Sequence, residues 1–193
     1  MLRRFGLLVC TTLLLPACAP DERGSDEYDP ARDYFSFANT DQFVTEHLVL
    51  DLVVDFDTQR LWGKARLDMQ RRDPAATEVV LDTRDLSVTA VTIILDDESV
   101  RSADYRFAES DPVKGTPLVI GLPKNVAGAD TFSVSIAYAT SPQSTALQWL
   151  PPELTAGKQQ PMVFSQSQAI HARSWVPLQD TPAVRITYAA TIT

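Results

Sequence analysis

Residues 164–182, FSQSQAIHARSWVPLQDTP, gather three glutamines, a histidine, an arginine and a tryptophan into one run, the density of polar function that an active site needs. A catalytic triad requires a nucleophile and an imidazole base, and a zinc site requires three or four convergent ligands. The chain has two histidines, His47 and His171. His171 has no second histidine within a helical turn and no carboxylate at ligand spacing, so it is expected to be a structural histidine bonded to backbone. His47 falls among polar residues of a strand pattern and is expected to face solvent. Taken by themselves, Gln166 and Gln168 are expected to be loop amides capping backbone groups.

Other chemistry is equally sparse. The seven glycines are scattered singly, Gly63 within a strand and Gly115, Gly128 and Gly157 in expected turns, so no glycine-rich loop is present to cradle a phosphate. Asp96, Asp97 and Glu98 fall at an expected hairpin tip, where charge is simply solvated.

The elements that would position the 164–182 run are strands. In HLVLDLVVDF, Leu48, Leu50, Leu52, Val54 and Phe56 share one parity, while His47, Asp51 and Asp55 share the other. That period of two marks a strand with one buried face. After the turn DTQR, the segment LWGKARLDMQ alternates again, with Leu61, Ala65, Leu67 and Met69 on one side, which makes the pair an antiparallel hairpin. EVVLDT, LSVTAVTIIL, YRF, PLVIGLP, TFSVSIAYAT, PMVFSQ and AVRITYAATIT follow at similar spacing, and no segment shows a sustained helical period. The expected fold is all-β, a large twisted and mainly antiparallel sheet or sandwich.

The 193 residues suffice for one domain with a well-filled core. Residues 1–17 carry Arg3 and Arg4, an apolar run and a small-residue end, the order of a bacterial export signal. LPAC resembles a lipobox, which implies acylation of Cys18, a lipid anchor and, with Ala19 next, the outer membrane facing the periplasm. Cys10 lies inside the signal, so the mature chain has no thiol for disulfides or metal. Residues 18–35, rich in charge, Pro and Gly, are expected to be an acidic tether, and 36–193 the β domain. Removing residues 1–17 takes away two arginines and no acid, so the formal charge of -8 falls to -10. A domain so acidic is repelled by phosphate backbones, which argues against nucleic acid as a partner.

The stretch SPQSTALQWLPPELTAGKQQPMVFSQSQAIHARSWVPLQDTPAVRITYAATI closely resembles the end of the N-terminal domain in the leukotriene hydrolase and aminopeptidase B branch of the zinc aminopeptidases, in the shared elements ALQWL, TxGK, FSQxQAIHxR and QDTPxxKxTY. The likeness extends upstream through TEHLVLDLVVDFDTQRLWGKARL, VVLDTRDLSV and GTPLVIGLP to cover roughly residues 39–193.

The resemblance implies a saddle-shaped, mainly β domain that adjoins a thermolysin-like catalytic domain holding zinc on HExxH and a downstream glutamate. Neither that motif nor the family's GxMEN segment occurs in this sequence. By resemblance, Gln166 and Gln168 are the cleft glutamines of the family's QxQ, Gln168 helps bind the amino-terminal residue of a peptide, and Ala169 lies beside them. A neutral amide can offer its carbonyl to an ammonium, though more weakly than a carboxylate. The aminopeptidase N branch tends to have Glu where this chain has Gln168.

Arg173, Trp175 and Asp180 are expected to be structural, the first two packing the loop and the last forming a turn before Thr181-Pro182. The implied whole is an exported zinc aminopeptidase acting on peptides with a free N-terminus. Because the chain stops inside an expected strand, it is expected to be a truncated product inactive alone. The alternatives are a non-catalytic, lipid-anchored peptide-binding or interaction module and an epoxide hydrolase in the intact protein.

Overall fold

The period-two segments become strands, and their pairing follows from which face each must bury. In chain order these are β1 (Phe43–Asp55), β2 (Arg60–Arg71), β3 (Glu78–Thr83), β4 (Ser87–Ile94), β5 (Val100–Ser102) and β6 (Tyr105–Phe107). They are followed by β7 (Thr116–Gly121), β8 (Thr131–Ala139), β9 (Leu147–Leu150), β10 (Met162–Ser165) and β11 (Thr187–Ile192). The computed structural model describes residues 33–193 except 125 and 127; the export signal, Cys18 and the tether as far as residue 32 lie outside them.

A six-stranded sheet runs β11-β1-β2-β8-β4-β5, beside a three-stranded sheet β3-β7-β6 and the β9-β10 hairpin. The sheets are antiparallel save for β11, which runs parallel to β1, with Leu48 opposite Tyr188 and Leu52 opposite Ile192. The fold is thus all-β and mainly antiparallel. Three segments depart from the sequence reading. β5 and β9 lie outside the period-two segments, and of AVRITYAATIT only Thr187–Ile192 is extended in the sheet.

Register explains the core. Leu48 faces Leu67 and Leu50 faces Ala65 across β1 and β2, Leu67 faces Val134 and Ala65 faces Ile136 on β8, and Val134 and Ile136 face Ile93 and Val91 on β4. These rows, with Val79 and Leu81 of β3 and Leu118 and Ile120 of β7, form one contiguous buried cluster. Each Val, Leu or Ile side chain among them, removed from water, stabilises the fold by about 1.5–3 kcal/mol. The hairpin turn is fixed by the Asp55 carboxylate, which accepts hydrogen bonds from the amides of Asp57 and Thr58 and from the Thr58 hydroxyl at 3.0, 3.0 and 2.6 Å. These bonds, led by that from the hydroxyl, hold the carboxyl below its ordinary value.

At the far end of β2, Arg71 is buried and donates to the carbonyls of Ala129, Ala76 and Val126, while its guanidinium lies 5.3 Å from the Phe43 ring centre. A charge can sit in this apolar setting because three carbonyls and a π face replace its water.

Candidate substrate-cleft wall

The 164–182 run leaves β10 and lies over one end of the main sheet. Gln168, Ala169 and Ile170 face Thr45, Leu48 and Leu67 of the hairpin and residues 178–182, 184 and 186 across a cleft of about 480 Å³. The cleft is apolar at its floor, where Leu48 and Leu67 sit, and polar at its rim. Gln168 and Ala169 are exposed there. Gln166 is also exposed but does not line the cleft; its Oε1 lies 3.5 Å from the Gln168 amide nitrogen.

Short-range bonds shape the loop on both sides of these residues. The Gln166 amide donates to the Ala146 carbonyl at 2.8 Å, and the His171 amide donates to the Ser167 carbonyl at 2.9 Å. The Trp175 indole N–H donates to the Ser167 hydroxyl at 3.1 Å, as expected of an indole that packs the loop. The Gln168–Ala169 peptide is cis. Ile170 has φ 58°, left-handed for a β-branched residue. Such a conformation costs on the order of 1–3 kcal/mol and persists only where its surroundings over-determine it.

His171 is not held by backbone through its ring. Its Nδ1 lies 2.8 Å from the Thr145 hydroxyl, so the side-chain bond runs to the turn that leads into β9. His47 has its Nδ1 2.7 Å from the Thr187 hydroxyl on β11, on the half-exposed face of the hairpin. Among the described residues no group of three or more His, Cys, Asp or Glu could hold a metal ion. The described residues therefore do not fit zinc.

Arg173 is the centre of the loop's anchorage and is fully buried. Its Nε donates to Asp180 Oδ2 at 2.9 Å, Nη1 to the carbonyls of Phe35 and Lys114 at 2.9 and 2.7 Å, and Nη2 to the Asp180 carbonyl at 3.0 Å. Asp180 is accordingly an ion-pair partner and not merely a turn former. The fully buried Asp82 of β3 lies 3.6 Å from Arg173 Nη1. It accepts from the Ser36 hydroxyl at 2.5 Å and from the amides of Phe37 and Asp180 at 2.7 and 3.0 Å. Burial pushes its carboxyl above the ordinary value, against the pull of those donors and of Arg173.

Gln179 completes the anchorage. Its Oε1 accepts from the Thr45 amide and hydroxyl at 2.9 and 3.0 Å, and its Nε2 donates to the Phe43 carbonyl at 2.9 Å. This amide satisfies the backbone where β1 bulges between Thr45 and His47. Neither Asp82 nor Gln179 stands out in the sequence. Asp82 closes an ordinary strand pattern, and Gln179 reads as one more loop amide.

The Peptidase M1 N-terminal domain family matches residues 33–193. Leucine aminopeptidase 2 of Yarrowia lipolytica is 39% identical over 91% of this chain and 25% of its own length. Leukotriene A-4 hydrolase of Xenopus laevis is 38% identical over 81% of this chain and 25% of its own. Yeast LTA4 hydrolase in complex with Bestatin superposes with a TM-score of 0.75 and 34% identity, over 86% of this chain and 25% of that one. The chain thus spans about a quarter of the length of the curated relatives it matches. With the family match and the fold in agreement, the chain belongs to the Peptidase M1 N-terminal domain family.

Proposed function

We propose that this chain forms one wall of the substrate cleft of an exported zinc aminopeptidase, which removes N-terminal residues from peptides. The observation that carries the reading is the presentation of Gln168 and Ala169, exposed side by side on one wall of a cleft with an apolar floor, by a loop tied down on both sides. Gln168 offers its carbonyl oxygen to the ammonium of a peptide's first residue, and Gln166 lies next to it with its Oε1 3.5 Å from the Gln168 amide nitrogen. The weaker pull of a neutral amide leaves room for further polar contacts from the remaining three quarters of the polypeptide. That part supplies the zinc ligands. Zinc held by that part would supply Lewis-acid chemistry at the scissile bond.

The lipobox at Leu15–Cys18 and the acidic tether support attachment to the cell envelope through a lipid on Cys18, with the cleft turned to periplasmic peptides. The test is to read the gene beyond codon 193 for HExxH with its downstream glutamate, and to express the whole polypeptide with zinc. Turnover of amino-acid anilides by that polypeptide, and a fall of roughly tenfold or more in kcat/KM with Gln168→Ala, is the expected result. A stop followed by an unrelated gene would leave a lipid-anchored peptide-binding module, and specific binding of peptides with free amino termini by the 193-residue chain would then replace the enzymatic reading.

A further inference from the structure

We infer that Arg173 is the positioning residue of the cleft wall, acting through Asp82 and Asp180 to fix where Gln168 and Ala169 stand; the inference rests on the reading that Gln168 meets substrate.

Arg173 is fully buried, and its guanidinium bonds to three separate segments at once. They are the strap at Phe35, the loop at Lys114 and the far stem of its own loop at Asp180. Asp82 ties the same strap through Ser36 and Phe37 and the same stem through the Asp180 amide. It also pairs in backbone with Leu178, whose amide and carbonyl bond to Asp82 at 3.3 and 2.8 Å. The 166–182 loop is therefore closed on itself by a planar fork and fastened to β3 by a carboxylate.

Burying one cation and two carboxylates is a poor route to stability, since apolar side chains of the same volume usually do as well or better. What a fork with fixed directions gives, and an apolar cluster does not, is a single permitted geometry. Here that geometry is needed. Ile170 sits in a left-handed conformation next to Gln168 and Ala169, and it relaxes unless both ends of the loop are held. The upstream end is held at Ser167 by Trp175 and His171, each within two residues of Arg173. Displacement of Arg173 is thus passed through a short, bonded path to the cleft.

The experiment has two arms. In the 193-residue chain, hydrogen exchange is followed at the His171 amide and, as a reference, at the Ala65 and Ile136 amides of the main sheet. Arg173→Lys keeps the charge and removes the fork. It is expected to speed exchange at His171 by about tenfold while the sheet amides are unchanged. Exchange that rises equally at all three sites, or that does not rise at His171, overturns the inference, because Arg173 would then be only a source of global stability or no constraint at all. Asp180→Asn, which preserves size, carries the same test if Arg173→Lys does not fold.

In the whole zinc-loaded polypeptide, Arg173→Lys is expected to raise KM for short peptides about tenfold with kcat changed less than about twofold. Combined with Gln168→Ala it should add little further, since both changes remove one interaction. Full additivity overturns the link between Arg173 and Gln168. Absence of peptidase activity in the unaltered polypeptide sinks the proposed function instead, and the exchange arm then decides the positioning alone.

Discussion

Gly63 on β2 sits so close to the backbone of Asp51 on β1 that a Cβ built on it would lie 2.1 Å from the Asp51 carbonyl oxygen. Its φ of 150° is one that side chains rarely adopt. The close approach lets the hairpin twist where Gly63 faces Leu52 on one side and Tyr138 on the other. Gly63→Ala must part β2 from β1, and is expected to cost about 3 kcal/mol or more. Urea unfolding checks this; an alanine variant as stable as the parent would mean that the strands adjust freely here.

The carboxyl of Asp82 gives a pH dependence with a definite sign. Its folded value is raised above the ordinary 3.8, chiefly by burial. Its contribution to stability is therefore fully present below that ordinary value and is lost as pH rises through the folded one. Exposed acids act in the opposite sense: Glu78 is held low by Arg106, and Asp111 by the amides of Lys114 and Val113. Because they are common to both proteins, they cancel in the difference between the parent and Asp82→Asn. That difference in unfolding free energy is expected to shrink as pH climbs from 3.8, and a difference that grows with pH would contradict the sign.

Much of this architecture is legible from residue types alone, wherever one face of a strand is buried and the other wet. Leu48 to Leu52 and Leu61 to Met69 announce their hairpin because each apolar residue must meet another across the pair. β5 is invisible for the converse reason: Val100, Arg101 and Ser102 are all exposed, so no burial imprints a pattern on them. The parallel docking of β11 is equally silent, since all six of its residues are exposed and its partner is remote in sequence. The cleft loop is legible as a motif, but its anchorage is not. Asp82 and Arg173 are distant along the chain, and only the fold brings an ordinary strand aspartate against an ordinary loop arginine.

Tyr138, one residue before the end of β8, has its hydroxyl donating to the Trp175 carbonyl at 2.9 Å, a bond that joins the main sheet to the loop behind the cleft. Tyr138→Phe preserves the ring and orphans that carbonyl, at an expected cost of about 1–3 kcal/mol. Burial also pushes the phenol well above its ordinary value of 10.0. In an alkaline titration followed by ultraviolet absorbance, the parent and Tyr138→Phe should therefore gain the same phenolate signal until the fold is lost. An additional phenolate in the folded parent near pH 10.0 would show that this hydroxyl is not sealed from water.

The outer edge of β11 has no strand paired to it among the described residues, and it carries Tyr188 and Ile192 at 73% and 51% exposure. An open, apolar edge is a template for another strand, because its unpaired N–H and C=O groups and its side chains are satisfied together by a second chain. The 193-residue chain is accordingly expected to self-associate with rising concentration. Tyr188→Lys places a charge on that edge and should weaken the association by about tenfold or more while leaving the melting temperature nearly unchanged, since Tyr188 contributes little buried area. Sedimentation velocity over a concentration series decides the matter. A chain that stays monomeric throughout, or one whose association ignores Tyr188→Lys, would place the sticky surface elsewhere, with the exposed Leu154, Met162 and Phe164 around the β9-β10 hairpin as the next candidates.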